Sequence, residues 1–260
     1  MSLVFPYARE VTGNLYADLS GYYDQFCAEV DYVEQCDFAE RAFACFASSG
    51  GRDYLDLACG TGQHIADMQR RGFVATGLDN SALMLTQARE RCPNAQFLLC
   101  DMAEFGQVAQ FDLITCFLYS IHYSHPAAAF AQTLRRAWHA LKPGGVFLFN
   151  AVDVAGIRND KRVVTQLQQG DACLRFESGW EYRGEGDVLD LFLRISRESV
   201  AHTQCWADHH IMTAVTFSRL RNLLEQVGFQ VTLLEHDYSV LQPLLEKGFN
   251  AIVVALKSPN

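Results

Sequence analysis

The stretch Tyr54-Leu55-Asp56-Leu57-Ala58-Cys59-Gly60-Thr61-Gly62 decides the fold. A short apolar run, read as a strand, delivers the chain into a glycine turn that opens a helix. Glycine lets the backbone make that turn and lets a ligand lie against it. In a Gly-x-Gly-x-x-Gly reading the third position is Ile65, whose β-branched side chain blocks the close helix approach that a third glycine serves. Nicotinamide and flavin dinucleotides lose ground accordingly.

Outward from this turn, short apolar runs alternate with helical stretches as far as about Asn150, the pattern of a parallel sheet covered by helices on both sides. Further strands are expected at Val74–Leu78, Gln96–Leu99, Phe111–Phe117 and Val146–Phe149. A helix from Pro126 to about Lys142 ends at Pro143-Gly144-Gly145. The sheet resumes at Phe229–Leu234 and Ala251–Leu256, after a helix over Ser218–Val227.

On the N-terminal side, Asp37–Ala47 spaces Phe38, Ala42, Phe43 and Phe46 on one helical face, with Asp37 and Glu40 at capping-box positions. Between the two parts of the sheet, Cys173–Met212 alternates polar and apolar residues at a period of two, the signature of antiparallel strands. Three strands are expected there, over Cys173–Tyr182, Val188–Ser196 and Ser199–Met212. The domain reading is an N-terminal helical cover (1–50), a core (51–152 and 216–260) and an inserted antiparallel lid (153–215). Such an insertion would sit above the carboxyl ends of the strands, the edge where open α/β sheets bind ligands.

Composition narrows the function. The chain has 260 residues, half of them hydrophobic, and 30 acidic against 21 basic side chains give a formal charge of −9. Nucleic acid is a disfavoured partner, because the basic pairs Arg70-Arg71, Arg135-Arg136 and Lys161-Arg162 are too dispersed to form a track. No apolar run approaches the ~20 residues of a membrane helix and no secretory leader is evident, so a cytoplasmic protein without a membrane partner is expected. Nine scattered cysteines without a Cys-x-x-Cys pair read as reduced thiols, and no metal site is expected.

Two acids follow the turn in register. Asp79 closes the second strand, where a carboxylate can take both ribose hydroxyls of an adenosine; Asp101 follows the third, where it can accept from an adenine amine, with Met102 beside it to pack on the purine. Through Leu55–Gly62, Gly77-Leu78-Asp79, Cys100-Asp101-Met102, Phe111-Asp112-Leu113-Ile114 and Leu141–Gly145 the sequence resembles the class I S-adenosylmethionine-dependent methyltransferases. More narrowly, Tyr22-Tyr23-Asp24, Thr115–Tyr123 and Asp208–Thr213 resemble small-molecule N-methyltransferases that act on amino-sugar nucleotides. The resemblance implies a Rossmann-like, seven-stranded, mostly parallel sheet with strand seven antiparallel, an N-terminal helical cover, and an inserted sheet near the substrate. It also implies S-adenosylmethionine as cofactor, held by Tyr22, Asp56, Gly60, Gly62, Asp79, Asn80, Asp101, Met102 and Phe117.

The acceptor is expected to be a small molecule, an amine that must be neutral to attack. His122 and Tyr123, after the fourth strand, and His210 are the candidate catalytic residues. Adjacent His209 and His210 point to opposite faces of a strand, so only one of them reaches a common pocket. A small-molecule O-methyltransferase and a non-catalytic cofactor-binding protein are the alternatives. The resembling sugar enzymes carry an acidic residue and tryptophans after the fifth strand, whereas this chain reads Asn150-Ala151-Val152-Asp153, which argues against a nucleotide sugar.

Overall fold

The computed structural model describes residues 10–12, 25, 27–199, 203–245 and 248–259. In chain order its elements are β1 (Glu10–Thr12), α1 (Tyr32–Phe46), β2 (Asp53–Leu57), α2 (Gln63–Arg70), β3 (Val74–Asp79), α3 (Ala82–Arg91), β4 (Gln96–Leu99) and β5 (Phe111–Cys116). There follow α4 (Ala127–Ala140), β6 (Leu141–Val152), β7 (Val163–Gln169), β8 (Ala172–Tyr182), β9 (Val188–Glu198), β10 (Thr203–Thr213), α5 (Phe217–Val227), β11 (Phe229–Glu235) and β12 (Asn250–Lys257). Single 3-10 turns lie at Ser120–Tyr123 and Val154–Gly156.

The central sheet has seven strands in the order β11-β12-β6-β5-β2-β3-β4, and β12 alone runs antiparallel to its neighbours. Near-continuous apolar runs make these strands, as expected of a sheet buried on both faces. One face packs Phe130, Leu134 and Ala137 of α4 and Leu220 and Leu224 of α5 against Ile114, Phe147 and Val253. The other carries Phe38 and Ala42 of α1, Ile65 and Met68 of α2 and Leu85 of α3 against Tyr54, Leu113 and Leu148. Side-chain oxygens of Ser81 and Thr216 start α3 and α5 by accepting the N–H groups of Met84 and Arg219.

Some local expectations change. The helix expected over Asp37–Ala47 begins at Tyr32, where Asp31 accepts the Glu34 N–H; Asp37 and Glu40 instead bind the Arg71 guanidinium. The fifth core strand starts at Leu141, ahead of Pro143-Gly144-Gly145, and runs through that stretch rather than beginning after it. There Lys142 Nζ bonds Asp53 Oδ2 at 2.6 Å and the fully buried Asp112 Oδ2 at 2.7 Å, so the expected turn is tied down as strand. The Lys142 ammonium and the Asp53 N–H hold the Asp112 carboxyl below its ordinary range despite burial, which acts the other way.

The inserted sheet has five strands, not three, in the order β1-β10-β9-β8-β7. The edge strand β7 escapes the sequence pattern because Val163–Gln169 is mostly exposed and lacks a clean alternation. Residues 10–12, expected in a helical cover, instead pair in parallel with Cys205–Ala207. The inner face of β8–β10 supplies Leu174, Phe176, Leu191, Leu193 and Met212, which pack with Val152 and Val154 and against Tyr119 and Tyr123. Those contacts set the insertion over the carboxyl ends of β5 and β6. No helix among the described residues is long and apolar enough to cross a membrane, and none of the nine cysteines is joined in a disulfide.

Candidate active site

At the end of β2 the backbone turns through left-handed conformations at Ala58 (φ 57°), Gly60 (φ 53°) and Gly62 (φ 83°). The Cys59 N–H donates to Leu78 O at 2.9 Å and the Gly60 N–H to Asp79 Oδ2 at 2.8 Å, which locks the turn to the end of β3. Asp79 Oδ1 accepts the Ser81 N–H at 2.8 Å. Burial pushes the Asp79 carboxyl above its ordinary range, against the pull of the Ser81 and Gly60 N–H groups. Each carboxylate oxygen still has lone-pair capacity for a hydroxyl donor.

Beside this turn lies a cleft of about 160 Å³. Gly60, Asp79 and Asn80 form one wall, Cys100 and Met102 another, and Ser120 and Tyr123 close the end. A second, smaller recess of about 20 Å³ continues past Ser120 toward Asp56, His64 and Phe117. Asp56 is 1% exposed; its Oδ1 accepts the Thr115 hydroxyl at 2.7 Å, whereas Oδ2 has no hydrogen-bond partner. His64 Nδ1 stands 3.5 Å from that oxygen, and His64 Nε2 is 2.8 Å from Gln35 Oε1. Apart from the His64 ring at 3.5 Å this buried oxygen has no donor among the described residues, and an ammonium group is a donor that answers a carboxylate.

The third space is a cavity of about 400 Å³ between the segment after β5 and the inner face of the inserted sheet. It shares Ser120 with both other spaces and Tyr123 with the cleft. The backbone that presents Ser120 is strained, because Leu118 (φ 54°) and Tyr119 (φ 61°) are consecutive left-handed residues, each costing on the order of 1–3 kcal/mol. Tyr119 anchors it: its hydroxyl accepts from Asn250 Nδ2 at 3.1 Å and lies 3.1 Å from His236 Nε2, and its ring stacks on His236.

Tyr123 Oη is 2.7 Å from His210 Nδ1, and His210 Nε2 is 2.8 Å from Asp208 Oδ2. The three form a Tyr–His–Asp chain of which Tyr123 lines the cavity. His209 faces the other way, stacked on Phe192 and bonded to Asp190.

His122 is corrected. It is fully buried, with Nδ1 2.8 Å from Thr213 O and Nε2 accepting the Val152 N–H at 3.1 Å, so neither nitrogen can serve an acceptor. Burial lowers its pKa to about 4, only partly opposed by the Thr213 carbonyl. It is a strap between β6, β10 and the Ser120–Tyr123 turn. Gly62 lines neither the cleft nor the recess. Its left-handed φ requires glycine, and so does the packing of α3, since a β-carbon there would stand 3.2 Å from the Ala88 methyl. Asp101 is exposed, accepts the Ala103 N–H at 2.7 Å and does not line the cleft. Phe117 lines the small recess rather than the cleft, and Tyr22 lies outside the described residues.

The sequence does not single out Ser120, His64, Tyr119, Trp180 or Asp208. Only Asp208 carries a readable signal, since Asp208-x-His210 on a strand puts both side chains on one face.

Residues 55–145 match the family described as a methyltransferase domain. Relatives from Geobacillus and Bacillus subtilis align at 29% and 31% identity over 139 and 140 residues, 52% of this chain, so the chain spans about half the length of these curated relatives (56% and 55%). A Streptomyces fradiae dTDP-3-amino-3,6-dideoxy-α-D-glucopyranose N,N-dimethyltransferase is 39% identical over 93 residues, 35% of this chain and 36% of its own. Among solved structures, an amino pentose methyltransferase from Micromonospora echinaspora superposes with a TM-score of 0.77 at 20% identity, covering 95% of this chain and 100% of that one. Residues 55–145 thus match a methyltransferase-domain family, and the fold of the chain is the one seen in that solved methyltransferase structure.

Proposed function

We propose that this chain is an S-adenosylmethionine-dependent methyltransferase that acts on a small-molecule amine. The observation that carries this reading is the meeting of three spaces at Ser120: a cleft with Asp79 at a sugar-binding position, a recess with an orphaned carboxylate oxygen, and an acceptor cavity. In this reading Asp79 takes the ribose hydroxyls, Met102 packs on the adenine, and Asp56 Oδ2 takes the methionine ammonium. When bound, the cofactor supplies the methyl group: the acceptor lone pair forms the new N–C bond as the C–S bond breaks and its electron pair stays on sulfur.

The chain's own residues supply alignment and proton removal. Asp208 holds the proton of His210 on Nε2, which leaves Nδ1 to accept the Tyr123 hydroxyl. The oxygen lone pairs of Tyr123 then face the acceptor. As Tyr123 takes the proton of an ammonium, its own proton passes to His210, and Asp208 stabilises the resulting imidazolium. A hydroxyl acceptor would use the same relay, and the carbon chemical shift of the new methyl group, on nitrogen or on oxygen, separates the two.

The test is turnover. Purified protein incubated with S-adenosylmethionine and a panel of primary amines is expected to release S-adenosylhomocysteine together with an N-methylated product. Tight cofactor binding with no methyl loss to any amine or alcohol would leave a binding protein instead.

A further inference from the structure

We infer that the acceptor is an amphipathic amine, with an apolar body that fills the cavity under the inserted sheet and an anionic group held by Lys161 and Arg158 at its mouth. This deepens the methyl-transfer reading and rests on it.

The cavity has two ends. Ser120 and Tyr123 mark the inner end, where it meets the cleft. Arg158, Lys161 and Val163 line the same cavity and are exposed, so the segment between β6 and β8 marks the opening. The walls between are Trp180, Leu191, Leu193, Met212, Val152 and Phe249. A polyhydroxylated sugar in this space would leave hydroxyls facing apolar side chains, at a cost for each unpaired group. The Tyr119 phenol offers little relief, because it is engaged by Asn250 and His236. A volume of about 400 Å³ is within the ~300–1,000 Å³ of ordinary small-molecule sites, where apolar walls carry the body and a few polar groups set its direction.

The charges along the cavity run against those of the protein. The chain has nine more acids than bases, yet the described lining residues hold two cations and no carboxylate. Arg158 has Asp160 at 3.5 Å, with both side chains 69% exposed, a pair too solvated to cancel the cation. Among the described residues the walls therefore offer an amine no ion pair. The ionic contact is offered at the far end, which orients the molecule with its nitrogen toward Tyr123.

Calorimetric titration in the presence of S-adenosylhomocysteine tests this with a series of 4-(ω-aminoalkyl)benzoates, the matching phenylalkylamines without the carboxylate, and a dTDP-amino sugar. The best benzoate is expected to bind roughly tenfold more tightly than its carboxylate-free partner, equivalent to about 1.4 kcal/mol. Lys161→Met with Arg158→Met, both at exposed positions, is expected to erase that preference. Equal or tighter binding of the carboxylate-free amine, tightest binding of the dTDP-amino sugar, or binding of no probe by protein that does bind S-adenosylhomocysteine would each overturn the inference and leave methyl transfer standing. Failure to bind S-adenosylhomocysteine itself would instead remove the reading beneath it.

Discussion

The Tyr123 hydroxyl lies 2.7 Å from His210 Nδ1, so a side chain at the cavity wall is coupled through an imidazole to Asp208, two residues along the same strand. The coupling joins the turn after β5 to the inserted sheet, and it gives the acceptor space a polar route to a carboxylate that can hold a positive imidazolium.

Tyr123→Phe is expected to lower kcat at neutral pH by roughly 10²- to 10³-fold, the usual worth of a positioned proton acceptor, with protein stability little changed. His210→Gln should fall by a similar factor. With either variant the activity should recover as pH rises toward the acceptor's own ionisation. Full turnover at neutral pH in the Tyr123→Phe protein would assign proton removal to water.

His122 makes a stability prediction instead of a catalytic one. In the folded protein it stays neutral down to about pH 4, whereas in the unfolded chain it takes a proton below roughly pH 6.5. Between those values the unfolded state binds more protons, so stability is full above about pH 6.5 and declines as pH falls toward 4, by about 3 kcal/mol in all. Urea unfolding across that window should show the slope in the wild type and a flatter profile in His122→Gln. Identical slopes would contradict the assignment.

Gly62→Ala separates fold from ligand. The position has φ 83° and faces Ala88, so the substitution should cost about 1–3 kcal/mol in unfolding free energy while the folded fraction binds S-adenosylhomocysteine with wild-type affinity. Loss of affinity in well-folded protein would return Gly62 to the cofactor site.

The core is legible because its signals are local: apolar runs of strand length, the glycine turn after Asp56, and an acid at the end of β3. The expected strands appear within a few residues of their positions, and β12 runs antiparallel as the resemblance implied. What stays hidden depends on partners distant in sequence. His122 looks like a base until Thr213 and Val152 take both of its nitrogens. Ser120 is an ordinary loop serine until three spaces converge on it. The strand Val163–Gln169 has too little burial to write a pattern, and Glu10–Thr12 becomes a strand only through its pairing with β10.

The central claim is that the turn after β2 and the carboxylate closing β3 hold an adenosyl cofactor. Its most direct test is calorimetric titration of wild-type and Asp79→Ala protein with S-adenosylhomocysteine, with circular dichroism to confirm that the variant is folded. Micromolar binding by the wild type and a loss of at least about tenfold in the variant is the predicted result. Unchanged affinity in folded Asp79→Ala protein, or no binding by the wild type, would contradict it.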